Sequence, residues 1–281
     1  MTRLVEATRE LAGEDTLVFC LPHPRTGERI QFALDGPMLL EMQRMAPDAA
    51  ASWLVDDSVQ QDGSIMMFTP VDPLFILLPV LETCRRRKGD SAGVFCALDD
   101  LLQTIPGLSV LARVKQLEQK LGRVCDVQAV PGHGNVYRLN DSKVIGWLQR
   151  KVNRIVSKFA GFATLVQMER VYYAEPGVQD NVGLQQAIRV WLAITVVDDY
   201  LNQAWRDRLR TAYESTLEPV VALLKRRKRV AAAAQNASLA KAASTTGTRK
   251  GKTAAAAARG KKPVNTKGMM SLRSYFSAKP S

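Results

Sequence analysis

Side chains able to carry catalysis are few in this chain, and they are not grouped. The two histidines are His23, between prolines, and His133, in a glycine-rich turn; both read as exposed loop residues rather than bases or ligands. Three acidic pairs stand out: Asp56 with Asp57, Asp99 with Asp100, and Asp198 with Asp199. Adjacent carboxylates splay apart on a helix or strand, because only positions three and four apart share a helical face. Asp99 and Asp100 read instead as first-turn charges that complement a helix dipole. Neither a phosphate-binding G-x-x-x-x-G-K-[ST] loop, a dinucleotide G-x-G-x-x-G turn nor a nucleophile elbow occurs. Cys20, Cys84, Cys96 and Cys125 are widely spaced without a C-x-x-C, which argues against a disulfide framework or a zinc site and fits a reducing compartment. The pattern points away from catalysis, from any metal and from any cofactor.

The recognition chemistry lies elsewhere. Of 39 Lys and Arg, 15 fall in residues 225–281, which hold no Asp or Glu; the first 224 residues therefore carry 24 basic against 27 acidic side chains. The net charge of +12 belongs to the tail, and the body is mildly acidic. The tail opens with Lys225, Arg226, Arg227, Lys228 and Arg229, a run that reads as a nuclear-localisation signal or as a plain basic anchor. It ends with Met269, Leu272, Tyr275 and Phe276, where an aliphatic and two aromatic residues sit at i, i+3 and i+4. In one helical turn these form a three-pronged apolar plug suited to a pocket on a partner. A third feature is Arg150, Lys151, Arg154 and Lys158 along an amphipathic segment, which either contact nucleic acid or form a solvated face.

The elements that must position these residues follow from periodicity. Residues 1–69 are β-rich, with strands expected at 16–21, 29–34, 53–55 and 65–68, a hairpin signal at Asp62-Gly63, and a short helix or strand over 39–45. So few short strands make a small barrel or an incomplete sheet whose edges invite a partner chain. From residue 70 to 224 the period becomes helical. Asp72-Pro73 supplies a cap and a proline at the first helical position. Helices are expected over 98–103, 107–121, 142–159, 184–199 and 203–224, with strands at 124–130 and 135–139 forming a hairpin. That order suits a winged-helix domain or a generic helical bundle. Residues 225–281 are nearly all Ala, Lys, Arg, Ser, Thr and Gly over most of their length and are expected to be disordered, although the alanine runs favour helix. No window reaches the length of a membrane-spanning helix, and residues 1–15 lack the apolar core of a secretory signal. The expected class is α+β.

Three stretches carry a resemblance. The run Thr69-Pro70-Val71-Asp72-Pro73-Leu74-Phe75, with Ser52-Trp53 and Ser58-Val59-Gln60 before it, closely resembles the non-catalytic B subunit of eukaryotic type 2 ribonuclease H. Trp147-Leu148-Gln149-Arg150-Lys151-Val152-Asn153 is similar to the Trp-Leu-x-x-Lys-Val-Asn helix of that family. The ending resembles a sliding-clamp interaction peptide, with Met269 standing where glutamine is expected and unable to make that residue's polar interaction. The resemblance covers about residues 16–224 and the terminal peptide. It implies an N-terminal module sharing a triple β-barrel with the C subunit, a following winged-helix-type domain, and a tail that docks on the sliding clamp (proliferating cell nuclear antigen). It implies an accessory role in a nuclear heterotrimer, without an active site of its own. The A subunit of that complex cleaves RNA in RNA:DNA hybrids and at single ribonucleotides embedded in DNA.

Overall fold

The fold is that of a computed structural model, which describes residues 4–7, 16–86, 91–132 and 134–247. The chain divides into two units, residues 1–226 and 227–281.

The first unit begins with seven strands: β1 (Leu4–Ala7), β2 (Leu17–Pro22), β3 (Arg29–Asp35), β4 (Met38–Met45), β5 (Trp53–Val55), β6 (Ser58–Gln60) and β7 (Ile65–Pro70). Five of them form one sheet in the order β1-β7-β4-β3-β2, antiparallel except for β1, which pairs parallel to β7 with Leu4 opposite Ile65. The segment over 39–45, open between helix and strand in the sequence, is a strand. The hairpin signal at Asp62-Gly63 is corrected. The tight turn is at Asp56-Asp57, where Asp56 takes a left-handed φ of 50°, and it joins β5 to β6 with Leu54 opposite Val59. Asp62 instead accepts from the Ser64 amide at 3.0 Å and from the Arg44 guanidinium at 3.1 Å. The Ser64 hydroxyl and amide, with the Arg44 guanidinium, hold its carboxyl down at about 2. Gly63 is required there because a Cβ would lie 2.6 Å from the Ala51 carbonyl oxygen.

Helix α1 (Pro73–Arg85) leaves the sheet directly. Asp72 caps it, accepting from the Leu74 amide at 3.1 Å, and Pro73 stands in its first turn. Leu74, Phe75, Ile76, Leu77, Leu78, Val80 and Leu81 are all buried, and a helix apolar all round must lie inside. One face of the sheet, through Leu21, Phe32, Leu34 and Leu39, shares this core. The opposite face holds a small cluster of Ala33, Leu40 and Phe68.

Beyond α1 come β8 (Cys96–Ala97), α2 (Leu98–Gln103), a 3-10 helix (Leu108–Arg113), α3 (Leu117–Leu121), β9 (Cys125–Val130) and β10 (Gly134–Leu139). The three strands form a sheet in the order β8-β10-β9. Helix, short strand, two helices and a β-hairpin returning beside the short strand is the winged-helix order. The single helix expected over 107–121 is broken in two. Leu108, Leu111, Val114 and Leu117 recur strictly every three residues, which is the 3-10 period and not 3.6; all four are buried, and Gln116 turns the chain at φ 56°.

The remaining helices are α4 (Asp141–Ser157), α5 (Ala163–Tyr173), α6 (Val182–Asp198), α7 (Gln203–Ala212) and α8 (Glu214–Gly247). Asn140, Asn181 and Asn202 cap α4, α6 and α7, each side chain accepting from an amide of the first turn. The continuous helix expected over 203–224 breaks at Tyr213, and α5 was not foreseen. Helix α8 also runs past residue 224 to Gly247, into a stretch expected to be disordered; alanine, the strongest helix former, carries it. Residues 248–281, including the second alanine run, lie outside the described residues.

The wing is tied to α4 by Asp126. Its carboxylate accepts from Asn140 at 2.9 Å and faces Lys143 at 3.1 Å and Arg138 at 3.3 Å. Burial alone would raise this carboxyl, but the three donors outweigh it and hold it below its ordinary value. A lowered carboxyl contributes stability above its unfolded pKa of about 3.9, and that contribution is lost as pH falls through the folded value. Asp126→Asn is therefore expected to lower the thermal midpoint near pH 7, with the gap to the parent narrowing as pH falls below about 4, as measured by circular-dichroism melts across that range.

Candidate functional site

Two surfaces of the first unit leave apolar or charged side chains uncovered among the described residues, and one internal joint packs the sheet against the helices. The joint is where the first two resemblance stretches meet. Lys151 on α4 places its ammonium 2.5 Å from Asp72 Oδ2, the carboxylate that caps α1. The same ammonium lies 5.8 Å from the Phe75 ring centre and 5.6 Å from that of Trp147. Phe75 packs 4.7 Å from Trp147 and 5.0 Å from Tyr200, centre to centre. Tyr200, in the turn between α6 and α7, donates its hydroxyl to the buried carboxylate of Glu41 on β4. Burial and that carboxylate both push the Tyr200 phenol up. One cation and three rings thus connect the sheet to α1, α4 and α6. A second tie runs beside them: the buried Arg85 at the end of α1 pairs with Asp141 in the first turn of α4, and Arg208 of α7 joins the same carboxylate at 3.1 Å.

His23 belongs to this neighbourhood and is not the free loop residue expected. It is half-buried, stacks 5.7 Å from Tyr200, and its Nδ1 accepts from the amides of Arg25 at 3.2 Å and Thr26 at 3.3 Å. Burial holds its pKa below the ordinary value, against the nearby Glu41 carboxylate. Its role is to shape a turn. The second histidine, His133, lies outside the described residues. The paired aspartates separate as adjacent residues must. Asp198 is buried against Arg210 at 2.6 Å, while Asp199 points outward to Arg25 at 2.8 Å. Among the described residues no group of acidic, cysteine or histidine side chains is placed to hold a metal, and no helix is long and apolar enough to cross a membrane.

The first surface is the edge of the sheet. Strand β2 pairs only with β3, so its outer side is open among the described strands. Leu17 and Val18 on it are 40% and 51% exposed. The β5–β6 hairpin forms a separate two-stranded ribbon, and its cross-strand pair Leu54 and Val59 is 83% and 60% exposed. An isolated two-stranded ribbon is marginal in water, and an open edge is a template for another strand. Sequence reading foresaw open edges but not these residues; the signal was present as Leu54 and Val59 facing each other across an Asp-Asp turn.

The second surface is α4. Arg150, Arg154 and Lys158 are exposed and have no side-chain partner among the described residues, whereas Lys151 is consumed in the joint. Arg113, Lys115 and Arg123, near the winged-helix second and third helical segments, are likewise exposed and unpaired, and sequence reading missed them. Lys225, Arg226, Arg227, Lys228 and Arg229 lie on α8, where Arg226 reaches Glu175 at 3.4 Å. Met269, Leu272, Tyr275 and Phe276 lie outside the described residues.

An open β module joined through a capped, buried helix to a domain of winged-helix order defines a two-part protein of the α+β class. Comparison with known families agrees. Residues 7–72 match the sequence model described as the Ydr279p protein triple barrel domain, and residues 75–210 match that of the Ydr279p protein family (RNase H2 complex component) wHTH domain. The chain belongs to this family. Among curated relatives, the B subunit of ribonuclease H2 from Homo sapiens is 34% identical over 110 residues, covering 38% of this chain and 34% of the relative. Its Mus musculus counterpart is 29% identical over 157 residues, 54% of this chain and 49% of the relative. The counterpart from Schizosaccharomyces pombe is 25% identical over 219 residues, 73% of this chain and 72% of the relative. The chain spans about half the length, or less, of the mammalian relatives it matches.

The joint makes a quantitative prediction. Asp72→Ala removes a helix cap and leaves Lys151 without its partner, an expected loss of about 2 kcal/mol. Lys151→Met is expected to cost about 1 kcal/mol, and the double variant less than the sum by about 1 kcal/mol, read from urea unfolding. Additive losses would show the pair to be energetically silent.

Proposed function

We propose that this chain is the accessory, non-catalytic B-type subunit of a type 2 ribonuclease H complex. In this reading its β module completes a triple barrel with a C subunit, and the pair holds a catalytic A subunit that degrades RNA in RNA:DNA hybrids and removes ribonucleotides misincorporated in DNA. The observation that carries it is uncovered apolar strand surface: Leu17 and Val18 on an open β2, and Leu54 and Val59 exposed as a cross-strand pair on a separate ribbon. Closing that edge with a partner strand buries backbone donors and apolar side chains of both chains at once. Family membership supports the same role.

The C-terminal residues Met269, Leu272, Tyr275 and Phe276 dock the complex on the replication sliding clamp. A tethered plug of this kind raises the effective concentration of a nuclease at replicating DNA, and the closure entropy of a long tether grows only logarithmically with its length. Residues 225–229 direct the chain to the nucleus, and the basic tail adds non-specific phosphate contacts.

A pull-down from nuclear extract with the full chain as bait tests this. The parent is expected to recover two further subunits and to cleave a duplex carrying one embedded ribonucleotide. Leu17→Glu combined with Leu54→Glu is expected to reduce recovery of both subunits about tenfold or more, while circular dichroism stays unchanged. Tyr275→Ala with Phe276→Ala is expected to lose the clamp alone. Recovery of neither subunits nor activity by the parent rejects the reading.

A second reading is favoured by the unpaired cations Arg113, Lys115, Arg123, Arg150, Arg154 and Lys158: a winged-helix protein that binds DNA by itself. Purified chain then binds duplex without partners, with a log–log salt slope of about −0.9 per phosphate neutralised. A duplex affinity that vanishes on deleting residues 225–281 assigns the binding to the tail and not to the winged-helix domain.

A further inference from the structure

The face of α4 that carries Arg154 and Lys158 does not open on solvent alone. It forms one wall of a groove whose other walls come from the start of α5 and from α6. The floor and rim hold Ile155, Phe162 and Val196, with Phe162 44% and Val196 39% exposed. Two adjoining hollows, of about 380 and 640 Å³, share these three residues, and the larger continues to Met168, which is 47% exposed. Large apolar side chains left contiguous on a surface mark a binding site more often than scattered ones do.

The charge is one-sided. Arg154 in the last turn of α4 and Lys158 at its C-cap stand four residues apart on this wall, exposed and without side-chain partners among the described residues, with Lys151 behind them already neutralised by Asp72. Across the groove the rim carries Thr195 and the carboxylate of Asp199. A nucleic-acid channel would need cations along the path of the backbone and flat rings for bases to stack on. Beside Arg154 and Lys158 the lining mixes Ile155, Val196 and Val197 with three rings, but Phe75 has its faces taken by Trp147, Tyr200 and Lys151, Tyr200 is half-buried with its hydroxyl on Glu41, and only Phe162 of the three is exposed. Asp199 would repel phosphate, though Arg25 partly offsets it.

We propose that this groove takes an acidic amphipathic helix of a protein partner, its apolar stripe on Phe162, Ile155, Val196 and Met168 and its carboxylates, spaced one turn apart, against Arg154 and Lys158. The apolar stripe supplies affinity and the charge pair fixes the direction in which the helix lies. The proposal goes beyond the role in the ribonuclease complex and does not depend on it.

The probe is a fluorescein-labelled peptide of about 18 residues, with Leu on an i, i+3, i+7 stripe and Glu on one flank, titrated with the purified full chain and read by fluorescence polarisation. A peptide with Gln at every Glu and a thymidine oligonucleotide serve as comparators. Saturable binding of the acidic peptide is expected, about tenfold weaker with the Gln peptide and about tenfold weaker for the double variant Arg154→Glu/Lys158→Glu. Val196→Glu is expected to weaken it as much through the apolar wall. Arg154 and Lys158 have no side-chain partners among the described residues, so their variant loses only helix-dipole stabilisation and is expected to stay folded with a melting temperature a few degrees below the parent's, and the test stands even where Val196→Glu unfolds. Three results overturn the proposal. One is no saturable binding of the acidic peptide. Another is acidic-peptide binding that ignores the groove variants, which assigns it to the basic tail. The third is tighter binding of the oligonucleotide that the same variants abolish, which makes the groove a nucleic-acid site.

Discussion

The ammonium of Lys151 is the group on which the arrangement of the body depends. A cation here answers three needs at once. It neutralises the carboxylate that starts α1, it lies against the rings of Phe75 and Trp147, and it fixes α4 against the point where the sheet gives way to helix. Arginine would present a wider, planar head, and an apolar residue would leave the Asp72 carboxylate, 13% exposed, without a counter-charge. The two sequence stretches concerned lie about 80 residues apart, and neither contains a reason for the other's residue types until they are brought together.

This explains why a protein of recognition surfaces carries such distinctive internal residues. An edge or groove needs only apolar or charged side chains in the right places. The joint that sets the angle between the open sheet and the winged-helix domain needs more, because Asp72, Phe75, Trp147, Lys151, Tyr200 and Glu41 touch one another in series. A partner spanning both domains would read that angle as part of its docking surface.

Much of the fold was legible in local chemistry. Asp72-Pro73 announced α1, the face of Val144, Leu148 and Val152 announced α4, and helix α2 began and ended where its acidic first turn implied. What was not legible is instructive. Strand β1 pairs in parallel with a strand some sixty residues away, and no local pattern encodes such a pairing. The hairpin turn falls at Asp56-Asp57, while Asp62-Gly63 makes a surface carboxylate hydrogen bond and a close backbone approach, which its residue types announce just as a turn would. The leucines after Gly107 kept a three-residue spacing that reads as helix in any window wide enough to blur it. Of the recognition surfaces, the charges on α4 were visible in sequence. Lys151's diversion into the core was not, nor was the groove beside Arg154 and Lys158, because both depend on which side chains α5 and α6 bring to that wall.

The uncovered β ribbon also bears on how much of this protein a cell can hold. Exposed apolar pairs such as Leu54 and Val59, and open strand edges such as that of β2, are features that chaperones and proteases act on in an unpaired chain. A copy made in excess of whatever covers that edge is subject to removal, whereas a covered copy hides the signal. If the proposed assembly covers that edge, the abundance of this chain would be set by its partner through turnover, without matched rates of synthesis.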